Sequence, residues 1–223
     1  MYAASVFRRV CNMIFSPQAG WLAIAGEENT SLARICACYA LPLAAAGPLA
    51  YFAGVALLGI HIEEDTLSPL QPDSPMAAAL SFVFSPQFSF DAGPSLLTIA
   101  AALRLGLMTY AGFLLTLVLL GLLLYVFAPL MGGVRNFRNA SKAAIYSSIP
   151  AWIAGLSLIL PKLFMIFIIG TMYSLYVLYG GVKVLLKVSE EDAAMLVGMV
   201  VFCLLLLSQV AGYAAGSLGL IML

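Results

Sequence analysis

Apolar residues in this chain come in long unbroken runs. Residues 105–134 hold no Asp, Glu, Lys, Arg or His. About 20 apolar residues carry a helix across a hydrocarbon core roughly 30 Å thick, so this run predicts a membrane span. Similar runs predict spans over approximately 32–60, 96–129, 140–160, 163–186 and 193–220. The expected fold is therefore all-α, a polytopic bundle of five transmembrane helices. Pro42 and Pro48 fall inside the first span and Pro150 inside the third. Each removes a backbone donor and should bend its helix. Pro161-Lys162 leaves room for a tight reversal only, so the third and fourth spans should pair as an antiparallel hairpin.

The ends and the one long loop read differently. In residues 1–15, Phe7, Val10, Cys11, Ile14 and Phe15 recur at helical spacing, with Arg8, Arg9 and Asn12 opposite. That pattern predicts an amphipathic helix in the headgroup region. A cleavable signal is not expected, because the arginines sit mid-segment and no small-residue cleavage site follows. Ser16-Pro17 stops this helix and starts a second, in which Trp21 suits an interfacial anchor. Residues 1–30 thus form a cytoplasmic or interfacial segment and 31–223 the membrane domain. The outer loop, 61–95, is acidic, lacks Lys and Arg, and carries Pro69, Pro72, Pro75, Pro86 and Pro94. Residues 76–84 within it are apolar and predict a short helix on or dipping into the membrane.

Composition agrees with this solvent. Hydrophobic residues make up 63% of the 223 and charged residues 9%, too few polar groups to cover a soluble domain of this length. Lys plus Arg equals Asp plus Glu, at 10 each, so no global charge points to nucleic acid. The placement of charge is more telling. In a five-span chain Arg8, Arg9, Arg34, Arg135, Arg138, Lys142, Lys183 and Lys187 fall on one side, Lys162 and Arg104 on the other. The positive-inside bias then puts the N-terminus in the cytoplasm and the C-terminus outside. Arg8 and Arg9 would meet anionic headgroups there.

Candidate chemistry is sparse. Arg104 lies some two turns into the second span, where a charge costs on the order of 3 kcal/mol at full depth. Either it snorkels to the outer headgroups, or it lines a polar cavity or binds a lipid phosphate. Tyr173, Tyr176 and Tyr179 stripe the fourth span ahead of Gly180-Gly181 and Lys183. They suit interfacial anchoring, or a hydroxyl-lined pocket in which Tyr173 and Tyr176 share a face. Ser208, Gly212 and Gly216 fall four apart, as do Ala46, Ala50 and Gly54, a spacing that lets helices pack closely within or between chains. His61 with Glu63, Glu64 and Asp65 offers divalent-cation ligands, but such a group is more simply a solvated acidic loop. Cys11, Cys36, Cys38 and Cys203 form no C-x-x-C. No G-x-S-x-G, H-E-x-x-H or P-loop is present. The expectation is a protein without catalytic residues, metal or cofactor.

Several segments carry a resemblance. FSPQAGWLAIAGEEN (15–29), then YALPLAA (39–45), resembles the start of bacterial Yip-domain membrane proteins. FAPLMGGVRNFRNASKAAIYSSIPAWIAGLSLILP and MYSLYVLYGGVKVLLKV are similar to that family's third and fourth spans. The resemblance covers most of residues 15–207. It implies five spans with a cytoplasmic N-terminus and an external C-terminus, as the charge count does, and a cytoplasmic (inner) membrane location. Eukaryotic relatives are associated with Rab-type small GTPases and vesicle traffic. This chain lacks their long N-terminal region and a DLYGP-like motif, so Rab binding does not carry over. The function expected is a membrane adaptor or organiser that binds lipids or other membrane proteins, including copies of itself. The alternatives are a small transporter or channel component with a polar site near Arg104, and an accessory subunit of a larger complex.

Overall fold

A computed structural model describes residues 2–27, 31–58, 96–160 and 163–217. The acidic loop with His61, the 76–84 segment and Lys162 lie outside the described residues. Within them the chain is helical and free of strands: α1 (Tyr2–Phe15), α2 (Pro17–Ala25), α3 (Leu32–Ile35), α4 (Leu41–Ala44), α5 (Ala46–Leu58), α6 (Leu96–Phe127), α7 (Phe137–Ser147), α8 (Ile149–Ala154), α9 (Phe164–Leu185) and α10 (Glu190–Ser217). Five stretches are long and apolar enough to cross a membrane: Leu32–Gly54, Gly106–Met131, Phe137–Ile159, Met165–Leu185 and Glu190–Val210. The chain is an all-α, multi-pass membrane protein.

Prolines explain the breaks. Pro42 cannot donate to the carbonyl of Cys38, and the first span widens into a π turn over Cys36–Ala40. Pro48 leaves the carbonyl of Ala44 without its helical donor, and the helix restarts at Ala46. Pro150 does the same to Tyr146, separating α7 from α8 at Ser148. The neighbouring amide of Ala151 donates instead to Ser174 Oγ of the fourth span at 2.9 Å. A bend inside a membrane is thus satisfied by a hydroxyl on the adjacent helix.

Caps set two starts earlier than the apolar pattern suggests. Asn136 accepts the amide of Asn139 at 3.2 Å, so the third span begins at Phe137 instead of near 140. Ser189 Oγ accepts the amide of Asp192 at 3.1 Å and donates to its carboxylate at 2.7 Å, opening the fifth span at Glu190 instead of 193. Glu190, Glu191 and Asp192 then face the positive end of the helix dipole.

The third and fourth spans do form an antiparallel hairpin. Asn139 Nδ2 donates to the carbonyl of Leu185 at 3.0 Å at one end, and Ala151 meets Ser174 near the middle of both spans. The first span packs on the third through glycines. A Cβ on Gly54 would stand 2.5 Å from the carbonyl oxygen of Ile159, and one on Gly155 would stand 3.0 Å from the Cα of Gly47. At the far end of the second span, Gly132 turns the chain with φ 69°. Val134 then donates to the carbonyl of Leu186 at 2.8 Å, tying the link between spans two and three to the link between four and five.

Candidate functional site

At that tied end of the bundle, α1 and α2 fold back on each other and dock against the third and fourth spans. The two arms meet at Met13 and Gly20, where a Cβ on Gly20 would lie 2.4 Å from the methionine methyl. Trp21 is fully buried. Its indole Nε1–H donates to the carbonyl of Val177 at 2.9 Å, and its ring lies against Gly180 and Gly181; a Cβ on Gly181 would collide with it at 2.6 Å. Tyr173 of the same helix donates its hydroxyl to the carbonyl of Ile14 at 2.6 Å, capping the end of α1.

The open end of this helical pair is closed by charge. Arg9 of α1 donates two hydrogen bonds to the carboxylate of Glu27, Nη1 to Oε2 at 2.9 Å and Nη2 to Oε1. Arg9 Nη1 also lies 3.4 Å from the hydroxyl of Tyr146 in the third span. Burial alone would lower the Arg9 pKa, but the bonds to Glu27 and Tyr146 outweigh it and hold the guanidinium charged. Lys142, one helical turn before Tyr146, is buried and donates Nζ to the backbone carbonyl of Glu27 at 2.7 Å. Tyr39 of the π turn meets the Tyr146 ring edge-on with centroids 5.2 Å apart, and Trp21 meets it at 6.4 Å. Glu27 therefore ties together α1, the end of α2 and the third span, with aromatic rings packed beneath it.

The residues singled out from sequence are divided between this cluster and the rest of the molecule. Arg9 and Tyr173 both hold α1, Arg9 from its middle and Tyr173 at its end, whereas Arg8 is exposed. Tyr176 is 53% exposed, its ring 5.8 Å from that of Tyr173. Arg104 is exposed on α6, eight residues after the start of that apolar helix at Leu96. Gly54 lies against Ile159, as described. Ser208 is buried and donates to the carbonyl of Leu205 within its own helix at 2.5 Å, and Gly212 and Gly216 continue along α10. Trp21, expected as an anchor at the membrane surface, is instead a core residue, because Gly180 and Gly181 open a slot for its ring. Glu27, Tyr39 and Tyr146 were not singled out, and Lys142 was counted only among the cations of one side. The signal for Glu27 was the uncharged stretch 10–26 that it brackets with Arg9.

The sequence profile of the Yip1 domain matches residues 11–212, nearly the whole chain. The chain belongs to the Yip1 domain family. No curated protein and no solved structure matches it. The family match begins within α1, so the end of α1, α2 and all five spans lie inside the Yip1 domain, with Arg8 and Arg9 before it.

Proposed function

We propose that this Yip1-domain protein is a non-enzymatic membrane adaptor or organiser of the bacterial type. In this reading it sits in the cytoplasmic (inner) membrane with its N-terminus inside the cell and its C-terminus outside. Its basic end binds anionic lipid headgroups and supports contacts with other membrane proteins. The observation that carries the reading is the sorting of cations at that end. Arg9, Lys142 and Lys183 are turned onto protein partners, Lys183 onto Glu190. Arg8 and Lys187 are exposed around them, and Arg135 is exposed over the Tyr125 ring, 4.9 Å from its centroid. Such a rim attracts an anionic surface at about 1 kcal/mol per basic residue.

Native mass spectrometry after reconstitution in mixed anionic and zwitterionic lipid tests the role. The protein should retain anionic lipid preferentially, and replacing Arg135 and Lys187 with Ala should weaken that retention. A chain that stays monomeric and carries no lipid preference contradicts the proposal. Protease protection of tags at the two ends tests the orientation: both tags accessible from one side would overturn it.

A further inference from the structure

The helical pair α1–α2 extends below the headgroup level, and its docking contacts show how far. Along the third and fourth spans, Lys142 stands roughly level with Val182, because Asn139 pairs with Leu185. Glu27 is held at Lys142, whereas the end of α1 at Ile14 is held at Tyr173. The nine residues from Val182 to Tyr173 correspond to roughly 13 Å of helix rise. A leaflet's hydrocarbon half is about 15 Å thick. Tyr173 also falls near the middle of the span Met165–Leu185. The connection between α1 and α2 thus lies close to mid-bilayer, beside helices whose outer faces meet lipid.

The charges and the large exposed side chains fit that depth, with the uncharged polar Asn12, Ser16 and Gln18 exposed beside them. Residues 10–26 carry no charge, and Phe15 at the tip is 81% exposed while Leu22 on the second arm is 68% exposed. Apolar groups facing away from the bundle at this level have acyl chains as their solvent. The charged residues at the mouth, Arg9 and Glu27, neutralise each other where the arms leave the apolar zone. A helix lying flat at the headgroups would instead hold Arg8 and Phe15 at similar depth.

We infer that α1–α2 is a re-entrant hairpin embedded in one leaflet, which makes the protein a wedge that prefers membranes curved to expand that leaflet. Each helix is about 10 Å across, so the pair adds roughly 200 Å² to one leaflet. Among the described residues, the five spans cross both halves of the bilayer, and α1 and α2 enter one half alone. Insertion into a single leaflet couples binding to curvature. The inference rests on the membrane assignment and is independent of the adaptor role.

Nitroxide depth measurement in proteoliposomes tests the hairpin, with the native cysteines replaced and single labels at Phe15, Arg8 and Met172. The label at Phe15 should match the one at Met172, open to oxygen and shielded from an aqueous nickel reagent. A Phe15 label as water-accessible as the one at Arg8 overturns the inference. Sorting between small and large vesicles tests the wedge, scored for molecules whose hairpin leaflet faces out. The protein should be enriched on the small vesicles, and Phe15→Asp should lose the enrichment while still retaining lipid in native mass spectrometry. Equal density on both vesicle sizes refutes the wedge. Loss of lipid retention with depth and sorting intact counts against the adaptor reading alone.

Discussion

The second and third spans are neighbours in sequence and opposites in environment. The most apolar 18 residues of the second, Gly106–Met131, have a mean hydropathy of 2.6 with 22% of them buried, whereas those of the third, Phe137–Ile159, have 1.2 with 61% buried. The more apolar helix is the outer one. In water the ranking would be reversed, because burial of apolar surface drives the core together. In lipid, acyl chains solvate leucine as well as protein does, so helix contacts select small residues and satisfied polar groups. Ala140, Ala143 and Ala144 of the third span are all buried, with Lys142, Tyr146 and Ser147 among them. The second span instead presents Leu115, Val118, Leu122 and Val126 outward.

Substitutions in the two helices should therefore differ in scale. The largest effect is expected at Tyr146→Ala, which empties the space beneath Trp21 and Tyr39 and removes the hydroxyl beside Arg9. Its cost is about 3 kcal/mol, at the low end for aromatic truncation because little transfer from water is involved. It would show as a marked drop in the thermal midpoint in detergent, read by Trp fluorescence. Gly54→Val comes next, at about 1–3 kcal/mol, since its Cβ would press on the Ile159 backbone and not on a movable side chain. The same melting experiment measures it.

Glu27→Gln should cost about 1.5 kcal/mol, by weakening the charged bonds to Arg9 while leaving its own carbonyl for Lys142. The change should be local, with faster amide exchange in α1 and α2 and little in the third span. The smallest effect is expected for Leu115→Ala and Val118→Ala, each within about 0.5 kcal/mol. A cost there as large as at Tyr146 would break the contrast, and would mean that protein, and not lipid, covers the outer face of the second span.

The same contrast explains what the sequence disclosed. Charge-free runs name the spans directly, and Pro42, Pro48 and Pro150 mark their breaks. The centre of the bundle was hidden, because hydropathy ranks the third span lowest. Lys142 fell inside the predicted third span and was counted only for the side its charge marks. Its acceptor lies 115 residues away, at the carbonyl of Glu27, a separation that no local pattern reveals. Trp21 carried an anchor's signature, and its true setting depended on a Gly-Gly pair in another helix. Arg9 was noticed for its charge, but its carboxylate partner belongs to the far arm of the pair.

The wide turn at Cys36–Ala40 sets the phase of everything after it in the first helix. A π turn holds one residue more than the α-turn it replaces, which rotates the downstream segment by roughly 100° about its axis. Tyr39 within the turn reaches the aromatic cluster, while Gly47 and Gly54 beyond it meet the third span. Deleting a single residue here would straighten the helix and swing both glycines off their track. Chain length across this turn is thus constrained independently of residue identity, and substitution should be tolerated where shortening is not.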